Sequence, residues 1–462
     1  MRILVDSCAY NCQNVGDLAM LTVAVSRLRE LWPAATIQVI TNAPDLVARH
    51  CGAVATAPVR GRRLVLQEHL LGPVRRMLPN RVRGRADAIE DRVRAAVPSL
   101  FALSARAKSA LVGHDARDGR AFLDAVARAD LVVVNGAGII TDAFRESALA
   151  ILATLDLAMR RNVPAALFGQ GLGPLKDPAL ARRAREVLPR VTQIAIRESR
   201  TSLPLLRALG VPAASIVVTG DDAIELAYPG RDQAESAGAR KIGVNIRIAP
   251  YADVEQDTLS RLRDVLERAA RRHDAELIPV PIAHHGGRMD VETLRELLRG
   301  VDDGGSSLDT PRKVIARVGE CRVVVTGSYH GAVFALAQGI PAVALAKSQY
   351  YVNKMSGVAE QFGGGCEIVS MDHEGWPAQV QEAVDRAWRG AEQMREPLLA
   401  AAADQIGRSR AAYARLRTLL SNLPRSSRAG VDSVAPPDQR SHDRESTHHN
   451  ARHDGRPVPS HR

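Results

Sequence analysis

The chain has 462 residues, is 46% apolar and carries a formal charge of +11. That length supports two core-forming domains, and no run of about 18 apolar residues suggests a membrane-spanning helix. Aromatics make up only 3%, so there is no stacking platform for single-stranded nucleic acid, and no nucleic-acid motif accompanies the basic charge. An anionic membrane surface, an anionic small substrate or a general bias toward arginine remain as its explanations.

Taken in chain order, short apolar strands alternate with helices. "ILVDSC" leads into a helix over Asp17–Leu31, and "TIQVIT" and "VATAPV" follow. After an insertion at 59–128 come "LVVVNGAG", "AALFGQGLG", "QIAIRES" and "SIVVTGDDA". A Gly- and Ala-rich polar stretch, Ala227–Lys241, separates these from "KIGVNIR", "ELIPVPI", "RVVVTGSYHG" and "PAVALAKS". Near-continuous Val/Ile/Leu strands between helices imply parallel sheets covered on both faces. The expected fold is α/β: two Rossmann-like domains, 1–230 and 238–395, facing a cleft. A helix over 396–422 and a disordered tail over 423–462 complete it, since the tail has too little apolar surface to offset ordering entropy.

The insertion reads as helical. Between Arg60 and Arg94 it holds ten arginines against four acids, either a solvated face or a peripheral contact with anionic lipid. The five cysteines are scattered and lack zinc-site spacing, which reads as reduced thiols in a cytoplasmic protein. The N-terminus enters a strand at once, without signal-peptide anatomy.

Candidate functional residues gather at strand ends, where ligands of such sheets bind. Behind the first strand stand Asn14, Gly16 and Asp17; Gly16 permits a tight turn and Asp17 suits a helix cap. Asn135, Gly136 and Gly138 do not complete a dinucleotide fingerprint, because position 141 is Thr. Gln170, Gly171 and Gly173 end the next strand, Arg197 and Ser199 a third, Asp221 and Asp222 a fourth. In the second half Arg247 ends a strand, and Lys347 and Lys354 follow another. His284, His285 and Asp290 read as a surface loop, since no further ligand has metal-site spacing. In "VVVTGSYHGAVFALAQGIP" a buried strand runs into Gly327, Ser328, Tyr329 and His330 at a helix start, with Gly331 leaving space beside the histidine. A histidine there can act as general acid or base near neutrality.

These blocks resemble the polysaccharide pyruvyl transferase family over roughly residues 1–395. "NVGDLAM", "NGAG", "FGQGLGPL", "IAIRESRTSLPLLRALGV", "VTGDDA" and the histidine block running into "GIPAVALAKSQYYVNK" carry the likeness. The resemblance implies a glycosyltransferase-B-like fold and no metal or organic cofactor. It implies transfer of an enolpyruvyl-derived group from phosphoenolpyruvate to a sugar hydroxyl pair of a glycan, glycoside or lipid-linked acceptor, giving a pyruvate ketal. His330 would be the general acid, with Asp17 or Asp222 taking the hydroxyl proton. Many members carry an arginine two residues before this histidine, where this chain has Ser328. Arg247, aided by Lys347, is then expected to grip the donor, with Arg197 as an alternative. A glycosyltransferase or sugar-nucleotide enzyme on the same fold and a non-catalytic glycan-binding relative stand as rival readings.

Overall fold

A computed structural model describes residues 1–7, 10–66, 117–136, 138–232, 240–246, 256–284, 289–298, 300 and 303–422, with residues 79, 82, 89 and 93 as single points. Cys8, Arg247, His285, most of the 59–128 insertion and the 423–462 tail lie outside the described residues.

The apolar runs form two parallel sheets. The first comprises β1 (Arg2–Asp6), β2 (Thr36–Thr41), β3 (Ala55–Pro58), β4 (Leu131–Asn135), β5 (Ala165–Gln170), β6 (Gln193–Ile196) and β7 (Ile216–Val218), in the order β3-β2-β1-β4-β5-β6-β7. The second comprises β8 (Lys241–Asn245), β9 (Glu276–Pro279), β10 (Val323–Thr326), β11 (Ala342–Ala346) and β12 (Cys366–Ser370), in the order β12-β11-β10-β8-β9. Strands β4, β5, β10 and β11 are buried along their whole length, as helices on both faces require. Pro58 closes β3 at a sheet edge, where a missing N–H breaks no ladder.

Strand order reverses at β1/β4 in the first sheet and at β8/β10 in the second. Chain ends diverge at such points and leave a crevice at the carboxyl ends of the strands. The segments leaving the two sheets there touch. Asn14 forms an antiparallel bridge with Ala283, the Val15 N–H donates to the Ile282 carbonyl at 2.9 Å, and the His284 N–H donates to the Gln13 carbonyl at 2.7 Å. Asp290 holds the far side of this contact, accepting from Ile282 N, Ala283 N and Asn245 Nδ2, each at 2.9 Å.

One apolar cluster joins the halves. It packs Val15, Ala19 and Met20 of the helix Val15–Leu31 and Ala223 and Ile224 of the first half against Val333 and Phe334 of the second. The helix expected over 396–422 begins instead at Trp376 and runs unbroken to Ser421. Its start, with Val380 and Val384, is buried in the core of the second sheet. Its end, with Tyr413 and Leu416, is buried in the core of the first. Pro397 lies inside it; proline forfeits one backbone bond there, and the burial of Leu398, Leu399 and Ala402 around it holds the helix together. Among the described residues, no helix is long and apolar enough to cross a membrane.

Candidate active site

The turn after β10 is built by side chains. Thr326 Oγ1 accepts from the Ser328 N–H at 2.9 Å, and the Gly327 N–H donates to the Asn245 carbonyl at 2.9 Å. A methyl group at position 331 would sit 2.3 Å from Thr326 Oγ1. Gly331 therefore makes room for Thr326, and not for the histidine as its sequence position suggests. Ser328 occupies the cap position of the helix Tyr329–Leu336 with extended backbone, yet its hydroxyl makes no capping bond. The positive end of this helix thus has no capping side-chain acceptor at Ser328.

The glycine that accommodates His330 is Gly16, in the other half of the molecule. A methyl group there would lie 2.0 Å from His330 Cγ. His330 is 5% exposed and sits edge-on to Tyr329. Among the described residues, its Nε2 has no hydrogen-bond partner. The nearest acidic oxygen is Asp221 Oδ2, at 3.8 Å, contributed by the first half.

Asp221 is fixed from two sides. Its Oδ1 accepts from the Ala223 N–H at 2.9 Å, and its Oδ2 lies 3.3 Å from Arg197 Nη1. The Arg197 guanidinium stacks on the Tyr329 ring at 3.9 Å, and Lys354 Nζ stands 5.3 Å from the same ring. Gly138 and Gly171 permit this packing, since a methyl group at either would come within 2.8 or 2.9 Å of the guanidinium. The glycines of "NGAG" and "GQG" therefore serve the close approach of an arginine.

Charge in this cluster is skewed by burial. Burial, with Arg197 and Lys354 close by, pushes His330 well below the ordinary imidazole range, so the ring is neutral in the open crevice at pH 7. Burial raises the Asp221 carboxyl to about 6, against the pull of Arg197. A cavity of about 310 Å³ adjoins the cluster, lined by Gly138, Gly171, Arg197, Tyr350, Asn353 and Lys354 among others. Cavities of about 300–1,000 Å³ hold small ligands.

The other expected residues divide. The cap of the helix Val15–Leu31 is Asn14 and not Asp17: Asn14 Oδ1 accepts from Gly16 N at 2.9 Å and Asp17 N at 3.2 Å. Asp17 lies half-buried in the first turn. Gly136 adopts φ 82° and gives way to the Met20 sulfur. Gln170 turns inward and donates to the Phe168 carbonyl at 3.2 Å. Ser199 donates to Glu360 on the helix Gln349–Phe362. Asp222 directs both carboxylate oxygens at the last helix, accepting from Ser409 Oγ at 2.7 Å and Tyr413 OH at 2.9 Å. Lys347 follows β11, half-buried, and is not among the residues lining the cavity. Arg247 lies outside the described residues. Two residues noticed in the sequence but not assigned to the site, Asp221 and Lys354, belong to the cluster. Their signals were an acid beside Asp222 at a strand end, and a lysine one turn beyond Tyr350 and Tyr351.

Two parallel-sheet halves that meet at their strand carboxyl ends, strapped by a long last helix, have the architecture of the glycosyltransferase-B class. Solved structures agree with this fold. The UDP-GlcNAc 2-epimerase of Neisseria meningitidis, bound to UDP-GlcNAc, matches with TM-score 0.52 at 12% identity, over 91% of this chain and 100% of that one. The S. aureus MnaA–UDP co-structure matches with TM-score 0.51 at 12% identity, over 91% of this chain and 97% of that one. No curated protein matches the chain significantly. The family model for polysaccharide pyruvyl transferase matches residues 14–348. The chain belongs to the polysaccharide pyruvyl transferase family and is an enzyme of that kind.

Proposed function

We propose that the crevice transfers the enolpyruvyl group of phosphoenolpyruvate to a hydroxyl pair on a sugar, closing it into a pyruvate ketal. The observation that carries this reading is the placement of His330, from one half, 3.8 Å from Asp221 of the other, with Arg197 and Lys354 alongside. Phosphoenolpyruvate brings a phosphate and a carboxylate into a site, and both need charge-assisted partners. Arg197, Lys354 and the uncapped end of the helix Tyr329–Leu336 meet that need. They offer the positive charge that position 328 lacks; Arg247, expected in that role, lies outside the described residues.

The chemistry follows from the charges. A bound dianion offsets Arg197 and Lys354, so His330 takes up a proton. The imidazolium protonates the methylene carbon, C3, and leaves a cation-like centre at C2. The first sugar hydroxyl attacks C2, and its proton passes to Asp221, whose carboxyl near 6 suits a base at neutral pH. That proton returns to His330. The second hydroxyl displaces phosphate from C2, and its proton leaves with the phosphate. Asp221 replaces Asp222 as the base in this reading, because Ser409 and Tyr413 hold both Asp222 oxygens.

Phosphate release from phosphoenolpyruvate, measured against a panel of glycosides, glycans and lipid-linked sugars with mass spectrometry of the product, tests the reaction. A ketal product supports it. Turnover of labelled nucleotide sugars in the same panel, with phosphoenolpyruvate untouched, would replace the reading with a glycosyl transfer. The charge argument has its own test. Calorimetric binding of phosphoenolpyruvate at pH 7 in buffers of different ionisation enthalpy is expected to show uptake of up to about one proton, absent in His330→Gln. Equal heats in all buffers would refute it.

A further inference from the structure

Asp221 and Asp222 are consecutive, yet they serve opposite sides of one turn. Asp221 reaches Arg197 and His330. Asp222 reaches Ser409 and Tyr413 on the last helix, with Asn135 Nδ2 3.4 Å from its Oδ2. The grip is tight. Tyr413 stacks on Phe168 of β5 at 3.8 Å and lies beneath the Arg27 guanidinium at 5.5 Å. Just before the pair, Gly220 has φ 89°, and a methyl group there would sit 2.4 Å from Gln405 Oε1 of the same helix. Three residues one turn apart on the last helix, Gln405, Ser409 and Tyr413, thus press on residues 220–222 from behind. Asp222 is wholly buried, so its oxygens have no water to exchange for these hydroxyls. The same helix begins in the core of the second sheet, which carries His330. It is a rigid element that touches the acid's turn at one end and the histidine's half at the other.

We propose that Ser409 and Tyr413 are positioning residues that hold Asp221 against His330, acting through Asp222. The proposal rests on the reading of the crevice given above. With these hydroxyls gone, the turn is free to relax toward the helix, and Asp221 draws back from the imidazole. The groups facing His330 are Asp221, Arg197, Lys354 and the edge of Tyr329. Asp221 is the one acid among them, 3.8 Å from Nε2, and above its own carboxyl value of about 6 its withdrawal leaves the two cations less opposed.

Tyr413→Phe tests this, because it keeps the ring between Phe168 and Arg27 and removes only the hydroxyl. Combined with Ser409→Ala, it is expected to lower kcat about ten- to a hundredfold, the usual penalty of a small misplacement. The KM for phosphoenolpyruvate should stay within about twofold, since Arg197 and Lys354 are untouched. The pH-rate limb reporting His330 should move to lower pH. In the ligand-free protein, the NMR titration of the His330 imidazole, assigned by its loss in His330→Gln, should report the ionisation of Asp221 near pH 6 more weakly as the carboxylate draws back. Arg410→Ala removes the Arg410–Glu225 bond on the same helix and should leave both profiles unchanged. A double variant with a lower melting temperature but wild-type kcat, pH profile and imidazole titration would make the contact merely structural and overturn the proposal. If the double variant does not fold, Tyr413→Phe alone decides by the same readouts. If the wild-type protein releases no phosphate from phosphoenolpyruvate with any acceptor, the reaction assigned above fails, while the imidazole titration still decides the positioning role.

Discussion

Turnover of His330→Gln is expected to fall by about two to four orders of magnitude, the range lost with a general acid. Glutamine keeps a polar, roughly planar group in the buried slot beside Tyr329 and Phe334, so the fold should survive. It cannot carry a proton to C3. Phosphoenolpyruvate should still bind, because its charges face Arg197, Lys354 and the helix end. The loss therefore belongs in kcat, with KM little changed. Near-normal turnover of a folded His330→Gln protein would remove the histidine from the mechanism.

Gly16→Ala should nearly abolish activity without deleting any chemical group. Helix propensity alone argues that alanine in the helix Val15–Leu31 gains up to about 1 kcal/mol. Geometry argues the reverse, since the new methyl would lie 2.0 Å from His330 Cγ. His330 is 5% exposed and three of its atoms lie within 2.5 Å of the new methyl, so the contact wins. Overpacking of this kind costs typically about 1–3 kcal/mol, and the relief comes from moving the imidazole or parting the two halves. Either movement separates His330 from Asp221. Thermal unfolding should therefore show a lower melting temperature together with a turnover loss of about a hundredfold. The destabilisation should shrink when Gly16→Ala is placed on His330→Ala, as expected for residues in contact. A more stable, fully active Gly16→Ala protein would show that propensity, and not the contact, governs this position.

The two-sheet fold was legible because a strand buried on both faces must be apolar along its length. "LVVVN" and "RVVVT" announce themselves by composition alone. The helix start behind the first strand was legible only to within a few residues: Asp17 suits a cap by residue type, yet the cap is Asn14. Partners across the fold were not legible. Gly331 adjoins the histidine in sequence and serves Thr326; Gly16, more than three hundred positions away, is the residue on which the ring rests. Asp221 and Asp222 are the same residue type in adjacent positions, and only the direction of each side chain separates a site residue from an anchor. Nothing in "SQYYVNK" tells that Lys354 stands over the Tyr329 ring. The last helix, expected only over 396–422, starts at Trp376. Burial on both sides of Pro397 outweighs the one bond it forfeits, and no local signal reports that.

The long last helix has a consequence for how the gene can be recombined. The family match ends at residue 348, which invites a chimera joining one relative's first half to another's second half at the polar stretch near residue 235. Such a hybrid would receive its terminal helix from the second parent and its Asp222 turn from the first. Ser409 and Tyr413 would then have to match a turn they never served. A functional swap needs two crossovers, one in that polar stretch and one within the long helix ahead of Gln405, so that its final turns travel with the first half as one exchangeable cassette.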